Sequence, residues 1–405
     1  MLLYVVNWAD KATLGLVAQP LAEELGLTTA QIGLVGSAFF LASIVGSFFA
    51  GLLQKLMTLR WILVLLSVAW AVAMLPVVVA ATFGVLVVSR MVLGLTEGPA
   101  YALIMTGAFS WHPEEKRGLP SACIASAASI AKIAIAPVLT LVVVTWGWRA
   151  AFLVLAAAGV AWCLVWLPTW QEGPYGKAAV SAAGADGADA GAPAVSWWRI
   201  FGAPSFVGGL LAVFAMYGLL SVVLTWLPSY FEVGLGFSRA MAGTMFAVPS
   251  VAGIVAMFSM TSISDRLMAR GASSKVLRGL LPALALLICG LSLAALPYIG
   301  VPWLAALTVS LGYGVGSAVF PQFTAAISEI VPARQLAGTL GVFVALMSSG
   351  GLVGPYLTGR IVDQAVSPAV GYASAFQFFG IVGAVGALIA LLTINPERDR
   401  ARLAA

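Results

Sequence analysis

Residues 61–81 read WILVLLSVAWAVAMLPVVVAA, a continuous run without one charged side chain. An α-helix rises about 1.5 Å per residue, so about 20 apolar residues cross the roughly 30 Å hydrocarbon core of a bilayer. This run is long enough to do so and therefore predicts a transmembrane helix.

Runs of the same kind continue on both sides of this one. Hydrophobic residues make up 61% of the chain and charged residues only 9%, whereas about 25% is usual in soluble domains. We therefore predict an all-α polytopic membrane protein with twelve transmembrane helices. The other eleven runs are 1–21, 30–53, 84–110, 119–145, 149–168, 205–231, 240–263, 277–297, 302–328, 336–360 and 371–394.

A low-complexity stretch, SAAGADGADAGAP at 181–193, separates the first six runs from the last six. Small and polar residues cannot build a core, so this stretch predicts a flexible linker. The expected organisation is a six-helix half at 1–168, a cytoplasmic linker at 169–204, a second six-helix half at 205–394 and a cytoplasmic tail at 395–405.

The distribution of Lys and Arg between alternate loops predicts the orientation. With the N-terminus in the cytoplasm, fourteen of these residues fall in cytoplasmic segments and three in outer ones. Cytoplasmic loops carry the excess of Lys and Arg, so both termini are predicted inside, with the protein in the inner (plasma) membrane. The net charge of +5 is then a topology signal and gives no reason to expect nucleic acid.

Composition also argues against an enzyme. His112 is the single histidine and the three cysteines are scattered through apolar runs, so a metal or haem site has almost no candidate ligands. No clustered acids or Ser/His set lies at one depth. We expect no cofactor, no metal and a monomer.

The beginning of the sequence is short for a first span. Nine residues before Asp10 reach about 13.5 Å, roughly half of the core. No Lys or Arg precedes Lys11 to anchor the end in the cytoplasm. We therefore expect the natural chain to begin upstream of Met1, the alternative being that Met1 is the true start.

Five charged residues lie inside apolar runs: Asp10, Lys11, Arg90, Glu97 and Lys132. An ionisable group at mid-membrane costs roughly 2.5–3.5 kcal/mol on insertion scales, so each should face a cavity or a charged partner. Two interpretations stay open: internal ion pairs that serve only the structure, or groups that handle substrate and coupling ion.

Their spacing favours one shared site. Seven residues are two helical turns, so Arg90 and Glu97 project from one face, offering an anion-binding cation and a titratable acid. Asp10 and Lys11 diverge by about 100° and cannot face each other. Lys132 lies halfway along its run and cannot easily reach water, so it either faces the cavity or neutralises an acid.

Two loops resemble a repeated motif of the major facilitator superfamily, G-x-x-x-D-R-x-G-R-R. They are GLLQKLMTLR at 51–60 and TSISDRLMAR at 261–270. The second keeps Asp265 and Arg266, which the resemblance implies are gating residues, whereas the first has Lys55 where the motif has Asp.

Further motifs resemble the anion:cation symporter family of that superfamily over essentially the whole chain. They are NWADK at 7–11, SAFF at 37–40, R-x-x-x-G-x-x-E at 90–97, E-x-K-R-G at 114–118, GWRAAF at 147–152, TWLPSYF at 225–231, SDRL at 264–267 and VGPYLTGRIVD at 353–363. Members carry organic anions, commonly sugar acids.

The resemblance implies that Asp10 and Glu97 are proton-linked acids and that Arg90 and Lys11 contact the anion. Lys11 departs from the usual Arg and lacks its bidentate fork. Trp8 replaces a common Tyr.

Ser43 and Ser47 stand where many relatives have Tyr and Gln, so partners for sugar hydroxyls are few. Tyr217 in the seventh run either offers a hydroxyl to substrate or packs. With Lys132, we place Trp8, Ser43 and Tyr217 in the expected substrate site.

The predicted function is a proton-coupled transporter that imports an organic carboxylate across the lipid bilayer by alternating access. The alternative is an efflux or antiport transporter of the same fold.

Overall fold

A computed structural model describes residues 1–112, 118–175 and 195–404, and within these ranges the chain is helical without a strand. Backbone polar groups have no water to bond in a bilayer, so a helix, which satisfies them internally, is the form such apolar runs adopt. Twelve long helices result: α1 Leu2–Leu25, α2 Thr29–Ser47, α3 Leu59–Val79, α4 Phe83–Phe109, α5 Cys123–Trp146, α6 Trp148–Thr169, α7 Pro204–Gly234, α8 Arg239–Ala269, α9 Lys275–Ala294, α10 Pro302–Ile330, α11 Gly338–Gln364 and α12 Pro368–Thr393.

The predicted fold class is confirmed. Eleven helices of the described ranges, α2 to α12, are long and apolar enough to cross a membrane. Helix α1 has 24 residues but carries polar side chains in its middle. Several helices extend beyond the apolar runs, because hydrogen bonding continues into the polar ends: α8 runs to Ala269 rather than to residue 263.

Short helices lie at Ala50–Leu56, Trp197–Phe201 and Pro396–Ala404. The one at Trp197–Phe201 falls within the stretch expected as a linker. The low-complexity segment 181–193 and the basic loop at 114–117 lie outside the described residues.

The described residues fall into two compact units. The first contains those up to Ala185 with Val222–Ala247 and Leu352–Gln364, and the second contains those of Asp186–Ser221, Val248–Gly351 and Ala365–Ala405.

In the first unit, helices α2 and α4 touch through glycines. A Cβ on Gly94 would overlap the carbonyl oxygen of Phe39, and one on Gly98 would overlap that of Ser43. Small residues allow such backbone approach in membranes. The contact fixes the face of α4 that carries Arg90 and Glu97.

In the second unit, the C-terminal helix is tied to the start of α7. Asp399 is buried, accepts a hydrogen bond from the backbone nitrogen of Ser205 at 2.8 Å and pairs with Arg398 at 2.8 Å. Burial disfavours its charge, but hydrogen bonds from Arg398 and Ser205 outweigh this, and the pKa of Asp399 lies below its usual value. The residues expected as a tail are therefore anchored.

Candidate functional site

Arg90 on α4 pairs with Asp10 on α1. Its Nη1 lies 3.2 Å from Asp10 Oδ2, and both side chains are almost fully buried. A charge in a lipid-embedded interior is stable only when paired or solvated. An internal ion pair of this kind is one of the two interpretations left open by the sequence. It does not use every polar atom of the two groups, because Arg90 Nη2 and Asp10 Oδ1 have no hydrogen-bond partner among the described residues.

Lys11 on α1 pairs with Glu97 on α4. The Nζ–Oε2 distance is 3.4 Å, and the Glu97 side chain is fully buried. Neighbouring residues of α1 thus pair with two residues of one α4 face, separated by two turns. Sequence spacing predicted the shared face of Arg90 and Glu97, but it did not predict which cation meets which acid.

The ammonium of Lys11 is surrounded by aromatic rings. Its Nζ lies 4.8 Å from the ring centroid of Trp8 and 5.9 Å from those of Tyr4 and Phe39. It also donates a hydrogen bond of 2.6 Å to Asn7 Oδ1. Cation–π attraction stabilises a desolvated ammonium, so these contacts hold Lys11 in place.

The carboxyl groups of Asp10 and Glu97 face each other. While both are ionised neither can donate, and Asp10 Oδ1 and both Glu97 oxygens then lack a hydrogen-bond donor among the described residues. A proton on either carboxyl would complete a hydrogen bond between the two.

A cavity of about 10 Å³ lies between the two cations. Lys11, Arg90, Phe39 and Thr225 line it, with Leu14, Gly36, Phe40 and Leu224. That volume holds about one water molecule. The cations therefore border a common space that is too small for an organic anion in this conformation.

Lys132 is buried on a π-helical turn of α5, Ala131–Ile135. Such a turn inserts one residue into the helical register and is frequent at functional sites. The expected mid-span position of Lys132 matches its burial. Its interpretation as a substrate cation or as a structural counter-charge stays open.

The other predicted substrate residues differ in setting. Trp8 contacts Lys11, and its buried Nε1 has no hydrogen-bond partner among the described residues. Ser43 lies where α2 meets α4, its backbone close to Gly94 and Gly98. Tyr217 belongs to the second unit, where its ring contacts that of Phe320.

The predicted gating residues also belong to the second unit. Asp265 is exposed and lies 3.7 Å from Arg278, which in turn pairs with Glu329. Arg266 is exposed. The structure thus places Asp265 in an ion-pair network and leaves the gating role of both residues a prediction.

Hydrogen bonds that sequence reasoning missed hold α2, α7 and α11 together at one end of the first unit. Asp363 at the end of α11 accepts hydrogen bonds from the backbone nitrogens of Thr29 and Ala30 at 2.9 and 2.8 Å. Trp226 Nε1 donates to the Pro355 carbonyl at 2.9 Å. A carboxylate suits a helix N-terminus, where backbone N–H groups are free, so Asp363 caps α2.

Asn7 is the second residue that sequence reasoning missed. It is completely buried and touches Lys11, yet as an uncharged residue it escaped a search restricted to charges. The available signal was its place one helical turn before Lys11, inside the same apolar run. Among the described residues no group of three or more His, Cys, Asp or Glu could hold a metal ion.

Comparison with known proteins places this geometry in context. The family model of the Major Facilitator Superfamily matches residues 1–315 and 274–405. A probable sulfoacetate transporter of Cupriavidus necator is 29% identical over 415 residues, covering 98% of this chain and 92% of the relative. A hexuronate transporter of Bacillus subtilis is 24% identical, covering 97% and 92%.

A crystal structure of a D-xylose-proton symporter is similar in fold. Its TM-score is 0.78 at 17% sequence identity, with 97% of this chain and 96% of that chain covered. At this identity the likeness concerns the fold alone.

Proposed function

The chain belongs to the Major Facilitator Superfamily and is a membrane transporter rather than an enzyme, and from its buried ion pairs we propose that it imports a small organic anion together with protons. The transport cycle is alternating access, in which a central site opens to one side of the membrane at a time. Both termini lie in the cytoplasm, as the excess of Lys and Arg in the corresponding loops favours.

The observation that carries this proposal is the pairing of each α1–α4 cation with an acid. Arg90 is held by Asp10 and Lys11 by Glu97. A proton on an acid cancels its charge and weakens its hold on the cation. The freed cation then needs another anion, because an unpaired buried charge is costly.

The order of events follows from this exchange. Protons from the outer side neutralise Asp10 and Glu97, and the anionic substrate takes their place beside Arg90 and Lys11. On the cytoplasmic side the protons leave, the internal pairs re-form, and the substrate is displaced. Binding of proton and of anion thus favour each other, which is the requirement for symport.

Neighbouring side chains favour a compact anion with few hydroxyl groups. Ser47 donates its hydroxyl to the carbonyl oxygens of Ser43 and Gly98, so this hydroxyl proton is already used. Relatives are named as transporters of sulfoacetate, a small anion, and of hexuronates, which carry several hydroxyl groups. We propose that the substrate of this chain resembles sulfoacetate more than a hexuronate.

The test is uptake of labelled organic acids into proteoliposomes with an imposed pH gradient. The wild-type protein should accumulate a short sulfonate or carboxylate when the outside is acidic. The Glu97→Gln variant should lose accumulation against a gradient but retain exchange of substrate across the membrane, because Gln keeps the shape and cannot release a proton.

Two outcomes would contradict the proposal. One is wild-type-like, pH-dependent accumulation by Glu97→Gln. The other is gradient-driven exit of the acid with no entry under any pH gradient, which would favour the antiport alternative.

A further inference from the structure

Asn7 is a fully buried amide in the middle of a membrane helix. Its Oδ1 accepts the hydrogen bond of 2.6 Å from Lys11 Nζ. An ammonium can only donate, so this contact fixes which end of the amide is the oxygen. The amide nitrogen is therefore assigned by chemistry.

That nitrogen, Nδ2, has no hydrogen-bond partner among the described residues, although it is buried. An unmade hydrogen bond of a buried group is destabilising. A residue that only packed α1 would be better served by an apolar side chain. The unused donor of Asn7 therefore points to a group that arrives during the transport cycle.

Position identifies that group. Asn7 and Lys11 are four positions apart, so the two side chains lie on one face of α1. Lys11 lines the small cavity that Arg90 also lines. An anion that reaches Lys11 after Glu97 accepts a proton therefore arrives beside the amide as well.

We propose that Asn7 and Lys11 together form a two-donor subsite for one carboxylate or sulfonate group of the substrate. Lys11 supplies the positive charge, and Asn7 Nδ2 supplies a second, neutral donor to another oxygen of the same group. A lysine alone is a point charge, whereas an arginine offers two parallel donors in a planar fork. The amide beside the ammonium provides the second donor that lysine lacks.

This inference rests on the proposed function, since it concerns how the transported anion is held. It makes Asn7 a specificity-determining residue. A group with two or more acidic oxygens uses both donors, and an anion with one accessible oxygen does not.

The experiment is a double-mutant cycle on substrate binding. The wild-type protein, Asn7→Ala, Lys11→Arg and the double variant are purified in nanodiscs at acidic pH. Affinities for sulfoacetate and glucarate are measured by calorimetry. Thr13→Val is the matched control: Thr13 is a fully buried polar residue of α1 whose hydroxyl already donates to Ala9 O at 2.7 Å.

Asn7→Ala should weaken binding about tenfold or more, the usual effect of losing a hydrogen bond to a charged group. Lys11→Arg should bind within about threefold of wild type, since the fork restores two donors. In the Lys11→Arg background, Asn7→Ala should cost less than about threefold, because the second donor is no longer needed. Thr13→Val should bind like wild type.

Equal losses from Asn7→Ala in the Lys11 and Lys11→Arg backgrounds would overturn the inference, as would no loss in either. Size-exclusion profiles of all variants establish that each folds, and Asn7→Ser provides a smaller polar replacement if Asn7→Ala does not. A wild-type protein that binds neither anion, nor any other carboxylate or sulfonate of a panel, would contradict the proposed function itself. A wild-type protein that binds but gives an additive cycle would contradict the subsite alone.

Discussion

Arg90 on α4 is buried and Lys11 on α1 is partly buried, and their side chains recognise an anion differently. The guanidinium of Arg90 leaves Nη2 without a partner after pairing with Asp10. A planar guanidinium with an unused N–H group can donate a hydrogen bond to a second carboxylate. An ammonium lacks this planar arrangement of parallel donors. Arg90 is therefore the expected principal anchor of the substrate.

Replacing Arg90 by Lys should raise the KM for uptake about tenfold or more, since a charge-assisted hydrogen bond is lost. Initial rates over a range of substrate concentrations provide the measurement. Arg149→Lys is the matched control: Arg149 also pairs with a carboxylate, Glu24 at 2.6 Å, but both side chains are half-exposed. An unchanged KM in Arg90→Lys would show that Arg90 serves only the structure.

The charged residues of the candidate site could be predicted from the sequence, but an uncharged partner such as Asn7 could not. Asp10, Lys11, Arg90, Glu97 and Lys132 could be singled out because a charge within an apolar run is costly and therefore rare. Which acid would meet which cation depends on the rotation of α1 against α4. That rotation is set by contacts far apart in sequence.

Helices α2 and α11 meet through glycine rather than through interlocking side chains. A Cβ on Gly33 would overlap the backbone of Pro355, and one on Gly359 would overlap Thr29. Together with the Asp363 cap, these contacts hold α2 and α11 together at one end of the first unit. Under alternating access, this end has to open for a substrate to enter from that side.

Gly33→Val should therefore prevent closure and keep this end open. A cysteine introduced as Ser37→Cys into a cysteine-free protein reports on it, because Ser37 is buried and accepts a hydrogen bond from Tyr356 N at 3.2 Å. Labelling by a membrane-impermeant maleimide should rise severalfold in Gly33→Val, while net uptake falls.

Gly341→Val on α11 is the control, since a Cβ at Gly341 meets nothing within 4 Å. It should leave both labelling and uptake unchanged. Equal labelling with and without Gly33→Val would mean that the glycine contact does not control access to this end.

The number and type of helices could be predicted because the bilayer demands a minimum apolar length. Helix irregularities were not predicted: the π-helical turn at Ala131–Ile135 ends just before Pro137, a residue that disrupts regular helical hydrogen bonding, but the apolar pattern alone does not locate the turn. The cap by Asp363 was also missed, since its partners Thr29 and Ala30 lie more than 330 positions away. Distance along the chain hides such contacts from any local pattern.

Viewed as a whole, the molecule distributes its buried charges unevenly. All five charged residues of the predicted site belong to the first unit. The second unit holds Tyr217 and the exposed Asp265 network instead. The residues for which we propose proton handling and charge recognition therefore all lie in one unit.

The two facing carboxyls, Asp10 and Glu97, have an electrical consequence. If each carries one proton per cycle, a dianion such as sulfoacetate crosses with no net charge, and a monoanion such as galactonate crosses with a net charge of about +1. Each net charge couples to the membrane potential by about 2.3 kcal/mol per 100 mV, which is about 50-fold in accumulation.

In proteoliposomes with valinomycin and a potassium gradient, an inside-negative potential should leave dianion uptake unchanged and increase monoanion uptake. Equal stimulation of both would contradict a two-proton cycle. A cell using this transporter would therefore draw on its pH gradient alone for a dianion, and would keep accumulating it when its membrane is depolarised.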